Sequence, residues 1–101
     1  MITWKKDLYL GKGAEPDKWK IIRGIRRRKL QFGVYVIVLA VNGRDIFDVI
    51  PAFMLSENSY KGRDIRVLGI AVGKSEAIEL AGQMILDALN SGTKDIRGYF
   101  S

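Results

Sequence analysis

The sequence predicts a small α/β domain with a mainly parallel sheet, spanning residues 1–101. Two apolar runs, at 33–41 and 65–72, are rich in β-branched side chains, which is typical of strands covered on both faces. A stretch with the helical spacing of apolar residues follows each run. Strand and helix in alternation are the mark of a parallel sheet with crossover helices. We therefore expect the order β-α-β-α-β-α in a single domain.

The amino-acid composition excludes several classes of chemistry. The chain contains no cysteine and no histidine. Thiol catalysis, disulfides, histidine acid–base chemistry and the usual zinc sites are therefore excluded. A magnesium or calcium site built from carboxylates needs acidic residues at loop spacing, and the sequence shows no such cluster. We predict no catalytic residue, no metal and no cofactor.

The charge is strongly basic. Seventeen Lys and Arg stand against eleven Asp and Glu, giving a net charge of +6, which favours a polyanionic partner. The longest apolar run, 33–41, is shorter than the roughly 20 residues of a membrane span. Residues 1–10 lack the apolar run of a signal peptide. We expect a cytoplasmic protein with no membrane partner.

The N-terminal third predicts a short strand at 8–10 and a helix at 16–29. Pro16 suits the first helical turn, where its missing N–H removes no hydrogen bond. The glycines at 11 and 13 separate the two elements. A strand over 19–25 is the alternative, although Arg23 interrupts its alternation. The helical interpretation depends on an apolar stripe formed by Ile21, Ile22 and Ile25.

Residues 45–58 admit two interpretations, a helix and the second strand of a hairpin. The pair Asn42-Gly43 is a hairpin signal when strands flank it. Pro51 also opposes the helix, because it removes one backbone hydrogen bond. We nevertheless favour the helix, because the apolar residues follow helical spacing. They are Ile46, Val49, Ile50, Phe53 and Met54.

The C-terminal part predicts a strand at Ile65–Val72, a long helix at Lys74–Asn90 and an edge strand at 96–100. Gly92 lies where a glycine commonly ends a helix. The predicted buried face of the long helix comprises Ile78, Ala81, Ile85 and Leu89, widened by Leu80, Met84 and Ala88.

Three runs in the chain resemble a group of small uncharacterised proteins from Gram-positive bacteria. They are Gln31-Phe-Gly-Val-Tyr-Val-Ile-Val-Leu-Ala, Asp45-Ile-Phe-Asp-Val-Ile-Pro-Ala-Phe-Met-Leu and Asp64-Ile-Arg-Val-Leu-Gly-Ile-Ala-Val-Gly-Lys-Ser-Glu-Ala. The resemblance covers roughly residues 29–81. It implies an α/β domain and favours a helix around Pro51, and it transfers no activity, cofactor or catalytic residue.

The densest basic region predicts a nucleic-acid-binding surface. Four consecutive cations end the helix at 16–29, and they cannot all be buried because consecutive residues fan around a helix axis. Clusters of this kind contact phosphates in nucleic-acid-binding proteins, and Trp19 would add a stacking surface if exposed. The alternative is a solvated outer helix face. The candidate residues are Arg23, Arg26, Arg27, Arg28 and Lys29.

A second candidate site lies at Gly73, Lys74 and Ser75. These residues resemble the end of a phosphate-binding loop, but Leu68 stands where that motif requires its first glycine. A helix that starts after a strand still presents free N–H groups to an anion. The alternative is a tight turn at Gly73 with Ser75 as the helix cap.

These observations favour a non-enzymatic interaction or regulatory domain, since the commonest catalytic side chains are missing. Nucleic-acid binding and anion or nucleotide binding are the alternatives. A small sheet leaves edges and one face poorly covered, so we expect a homodimer or another protein partner. Phe47 and Leu55, if exposed together, would form a partner surface.

Overall fold

A four-stranded sheet forms the centre of the computed structural model, which describes residues 1–40, 44–56 and 62–101. Its strands are β1 (Ile2–Leu10), β2 (Val34–Leu39), β3 (Phe47–Pro51) and β4 (Ile65–Val72). The helices are α1 (Lys18–Arg26), α2 (Lys74–Asn90) and α3 (Ile96–Phe100), and 3₁₀ turns occupy Glu15–Asp17 and Ala52–Ser56. The predicted α/β class is therefore confirmed.

The sheet is mixed, so the prediction of a mainly parallel sheet is wrong. The strand order is β1-β4-β2-β3. β1 runs parallel to β4, with Ile2 opposite Ile65, whereas β2 is antiparallel to both of its neighbours. β2 and β4 lie side by side in opposite directions. A parallel pair needs a long crossover, usually a helix, and the described chain between β2 and β4 holds only β3 and a 3₁₀ turn.

Residues Phe47–Pro51 form a strand, so the predicted helix at 45–58 and the order β-α-β-α-β-α are wrong. β3 pairs with β2 along the sheet edge. Phe47 and Val49 pack towards α2, while Ile50 packs towards α1, which is the alternation of a strand. Pro51 disfavours a helix interior but is tolerated in an edge strand. The Asn42-Gly43 pair and residues 57–61 lie outside the described residues.

The helix predicted at 16–29 is confirmed only in part. A 3₁₀ turn at Glu15–Asp17 leads into α1, which ends at Arg26, so residues 27–29 follow the helix. Pro16 lies in that turn. Ile21, Ile22 and Ile25 are buried, so the stripe faces the sheet as predicted and the strand alternative is wrong. β1 is longer than the predicted segment at 8–10, because it pairs with β4 from Ile2 onwards.

β4 and α2 have the bounds that the sequence predicts, and β4 is central between β1 and β2. Ile70 and Val36 are fully buried, as expected of central strands. α1 and the second 3₁₀ turn cover one face of the sheet, whereas α2 and α3 cover the other. The sheet is therefore buried on both faces.

The buried face of α2 is rotated from the predicted one. Ala77, Met84 and Ala88 are fully buried against the sheet. Ile78 and Leu89, which the spacing predicts to be buried, are 55% and 54% exposed. A helix with apolar residues around more than half of its circumference can bury only part of them on one sheet, and α2 therefore leaves an apolar surface open.

The C-terminal segment forms the helix α3 rather than the predicted edge strand. The N–H of Gly98 donates to Oδ1 of Asp95 at 2.9 Å, which caps the helix start. Phe100 is fully buried, and its ring centroid lies 4.9 Å from that of Phe47.

Leu55, the other residue of the conditional partner surface with Phe47, is buried as well. Phe47 and Leu55 are therefore not exposed together and form no partner surface, because both residues pack into the protein.

Candidate nucleic-acid interface

A cleft of about 320 Å³ lies where β1 and β4 begin and α1 ends. The parallel pairing of β1 and β4 brings their first residues together, and the 3₁₀ turn at Ala52–Ser56 closes another side. We call it the basic cleft. The described residues that line it are Met1, Ile2, Trp4, Ile25, Arg26, Arg28, Lys29, Ala52, Phe53, Leu55, Gly62, Arg63 and Ile65.

The chain reversal at the end of α1 places cations on the cleft wall. The N–H of Lys29 donates to the carbonyl of Gly24 at 2.9 Å, and the N–H of Arg28 donates to that of Ile25 at 3.1 Å. This pair of bonds is a Schellman motif, in which the residue at the position of Arg28 adopts a left-handed conformation. Arg28 does so, with φ of 56°. The motif turns the chain so that both cations line the basic cleft.

The predicted basic cluster is exposed but divided between two surfaces. All five of its side chains are exposed, and three of them, Arg27, Arg28 and Lys29, lie after the end of α1. Arg26, Arg28 and Lys29 line the basic cleft. Arg23 and Arg27 instead line a second depression beside the helix, which Lys29 also reaches.

Arg63 completes the cleft from the opposite side, at the start of β4. Sequence reasoning missed it, because a single arginine after Gly62 carries no pattern. Its exposed side chain is 34 or more positions along the chain from the other cations, and the packing of α1 on the sheet brings it near them. None of the described residues that line the basic cleft is acidic. Four cations therefore share one concave surface.

Aromatic rings lie among these cations. The guanidinium carbon of Arg26 is 5.9 Å from the ring centroid of Trp4, within the range of a cation–π contact. Phe53 also lines the basic cleft, and Phe32 lies beside it, with the two ring centroids 6.1 Å apart. Phe32 is 80% exposed. Trp19 is exposed but does not line the basic cleft, so the stacking surface predicted for it lies outside this site.

Tyr9 fixes the edge strand that carries Trp4. Its hydroxyl donates to Oδ2 of Asp87 on α2 at 3.0 Å. Burial raises the pKa of Tyr9, and the hydrogen bond and negative charge of Asp87 raise it further. The hydroxyl is therefore neutral at physiological pH and remains a donor. This contact ties β1 to α2 and has no part in the basic cleft.

At the start of α2, the second predicted site, the N–H group of Gly73 and the carboxylate of Glu76 already make hydrogen bonds within the protein. The N–H of Gly73 donates to the carbonyl of Gly33 at 2.7 Å, and Gly73 has a φ of 91° that favours glycine. Ser75 makes no capping hydrogen bond, since Gly73 is the N-cap. Glu76 accepts hydrogen bonds from the N–H groups of Val72 and Gly13 at 2.6 and 2.8 Å. A carboxylate already lies beside this helix start, and the anion site stays a prediction.

Two other kinds of site are not found in the described residues. Within 1–40, 44–56 and 62–101, no group of three or more acidic side chains is placed to hold a metal ion. None of the helices in these ranges is long and apolar enough to span a membrane.

Comparison with protein-family models, curated proteins and solved structures gives no match for this chain. The resemblance to small Gram-positive proteins therefore stays a prediction from the sequence. The basic cleft and the exposed face of α2 are the features from which a function can be argued.

Proposed function

We propose that this chain is a non-enzymatic binding domain whose partner is a nucleic acid, held in the basic cleft. The observation that carries the proposal is the convergence of Arg26, Arg28 and Lys29 on one wall with Arg63 on the other. Binding of a polyanion to such a surface is favourable because each phosphate contact releases condensed counterions. The net charge of +6 adds long-range attraction for the same partner.

The cleft is better suited to a polymer of phosphates than to a lone anion. Its cations come from two walls, and it is open to solvent beside the exposed ring of Phe32. No described carboxylate lies within ion-pair distance of Arg28, Lys29 or Arg63. Like charges held close together repel one another, and bound phosphates remove that repulsion.

The double variant Lys29→Glu/Arg63→Glu is expected to weaken nucleic-acid binding strongly without unfolding the protein. Both side chains are exposed, so the change acts on charge rather than packing. Loss of two phosphate contacts should lower the slope of log affinity against log salt by about 2. The measurement is fluorescence anisotropy of labelled single- and double-stranded oligonucleotides between about 50 and 200 mM salt.

The matched control is Lys94→Glu/Arg97→Glu, which changes the net charge equally on exposed residues outside the basic cleft. It should retain most of the wild-type affinity and nearly the same slope of log affinity against log salt. The proposal fails if the wild-type protein binds neither probe at the lowest salt, or if the two double variants lose affinity equally.

A second function, self-association, is favoured by the exposed apolar face of α2. Ile78, Ile85 and Leu89 lie on one side of the helix, with Gly82 among them, and we call these four residues the α2 stripe. Ile85 is half-buried, whereas Ile78 and Leu89 are more than half exposed. A Cβ added at Gly82 would meet no atom within 4 Å. The α2 stripe is thus an open apolar ridge of about 16 Å with a gap near its middle.

We propose that a second copy of this chain covers the α2 stripe, with the two helices antiparallel across a twofold axis. Ile78 of each helix then meets Leu89 of the other, and Ile85 enters the gap at Gly82. Lys74 follows the same face towards the helix start, so it comes near the negative C-terminal end of the other α2. That end has no basic residue of its own in the last turn, which makes the contact complementary in charge.

Leu89→Lys is expected to convert the dimer to a monomer. Leu89 is 54% exposed in the single chain, so the substitution leaves the fold intact. A lysine buried without a partner at the dimer contact should raise the dissociation constant by about tenfold or more. Sedimentation equilibrium should show the wild type at twice the chain mass of 11.4 kDa.

Gln83→Lys is the matched control, since it adds the same charge on the exposed side of α2 away from the stripe. It should sediment like the wild type. A wild-type protein that stays monomeric up to its solubility limit rules out the α2 dimer and leaves the nucleic-acid proposal untouched.

A further inference from the structure

The shape of the basic cleft distinguishes between nucleic-acid partners. Duplex DNA is usually read by an element that projects into a groove. α1 packs on the sheet through Ile21, Ile22 and Ile25, and the cations at and after its end line a cleft rather than a projecting surface. A volume of about 320 Å³ lies at the small end of the range for ligand pockets. An unpaired base with its phosphates fits a concavity of this kind.

The aromatic rings supply the second part of such a site. Proteins that bind single strands combine a basic groove with rings on which successive bases stack. Trp4 and Phe53 line the basic cleft, and Phe32 extends the aromatic surface from Phe53 outwards. Phe32 is 80% exposed and has no polar edge to contact water. A stacked base would remove this apolar ring from solvent.

The conformation of Arg28 is a third observation. Its φ of 56° is the left-handed region, and its position in the Schellman motif is the one where glycine is usual. Left-handed backbone costs stability for any residue with a Cβ, so glycine would make the same turn more easily. The side chain of Arg28 lines the basic cleft. The left-handed conformation, which is strained for an arginine, therefore occurs at a residue whose side chain lines the basic cleft.

We propose that the basic cleft binds single-stranded nucleic acid, with bases stacked on Phe32 and Phe53 and a phosphate held by Arg28. This inference rests on the nucleic-acid-binding function proposed above and specifies its substrate class. Recognition is by backbone charge and stacking, so it carries little sequence preference.

The first test compares a labelled oligo(dT) of about 12 nucleotides, within the site size of one binding module, with a duplex of the same length. The single strand is expected to bind at least about tenfold more tightly at equal salt. Phe32→Ala should weaken its binding about tenfold by removing a stacking surface. Trp19→Ala removes an exposed ring outside the cleft and should leave the affinity unchanged.

The second test is Arg28→Gly, followed by thermal unfolding and by binding of the same oligo(dT). We expect the melting temperature to rise and the affinity to fall severalfold, with a shallower salt dependence. A purely structural residue would not separate these two readouts in this way. Arg28→Gly with unchanged affinity would overturn the role of Arg28.

The remaining outcomes are equally decisive. Equal or tighter binding of the duplex overturns the single-strand inference and leaves nucleic-acid binding in place. Absence of binding to both probes removes the proposed function itself. A polyglutamate chain that competes as well as oligo(dT), with no loss in Phe32→Ala, would assign the basic cleft to an acidic polypeptide instead.

Discussion

Phe100→Ala is expected to lower the free energy of unfolding by about 3–5 kcal/mol, although the residue is the penultimate one of the chain. Phe100 is fully buried, and its ring packs edge-on against Phe47 and Tyr9, with centroid distances of 4.9 and 6.3 Å. It lies in the same core as Ile37 and Leu68 of the two central strands. Truncation therefore removes buried apolar surface and leaves a cavity between α3 and the sheet.

The measurement is urea unfolding followed by circular dichroism, with Phe32→Ala as the control. Phe32 is 80% exposed, so its truncation should change the free energy of unfolding by less than about 0.5 kcal/mol. A loss below about 1 kcal/mol for Phe100→Ala would mean that α3 does not pack on the sheet in solution.

The packing of Phe100 also shows why the C-terminal segment was mispredicted. The run at 96–100 contains Ile96, Tyr99 and Phe100, which favour strands, and it is too short to display helical periodicity. Its structure depends on a pocket formed by residues far away in the chain and on a cap from Asp95. Tertiary contacts therefore decided this element together with the local cap from Asp95, which the sequence analysis did not use.

Elements with long, uninterrupted patterns were predicted well. β4 is continuous and apolar, and α2 has a run of helix formers that ends just before Gly92. Residues 45–58 were ambiguous because their apolar positions fit both a helix and a strand that packs on two cores. In the structure, β3 pairs with the free edge of β2, so these residues form a strand. Pairing with a neighbouring strand cannot be recognised from the spacing of apolar residues in the sequence.

The candidate site was predicted only in its contiguous part. Consecutive cations are visible as a run at 26–29, and their exposure was predicted from a helix that in the structure ends at Arg26. Trp4 and Arg63 come from two other segments, and the register between β1 and β4 brings them together, with Trp4 opposite Val67. No local signal marks either residue. A concave site assembled from residues on four separate parts of the chain appears only when the sheet order is known.

Ile70→Ala is expected to destabilise the protein by about 2–5 kcal/mol. Ile70 is fully buried in the central strand β4, where it lies opposite Leu10 of β1 and Val36 of β2. It belongs to the core that packs against α1. Its truncation therefore opens a cavity where three strands and a helix meet, and the rigid sheet leaves little freedom to close it.

Ile70→Val provides the graded control, because it removes one methyl group at the same position. It should cost about 0.5–1.5 kcal/mol, so the two variants should separate clearly in equilibrium denaturation. Both should unfold with the slope of the wild type against denaturant, since the folded state remains intact. A loss below about 1 kcal/mol for Ile70→Ala would place β4 at a sheet edge. The basic cleft would then not be assembled as described, because Arg63 lies at the start of β4, which pairs with the strand that contains Trp4.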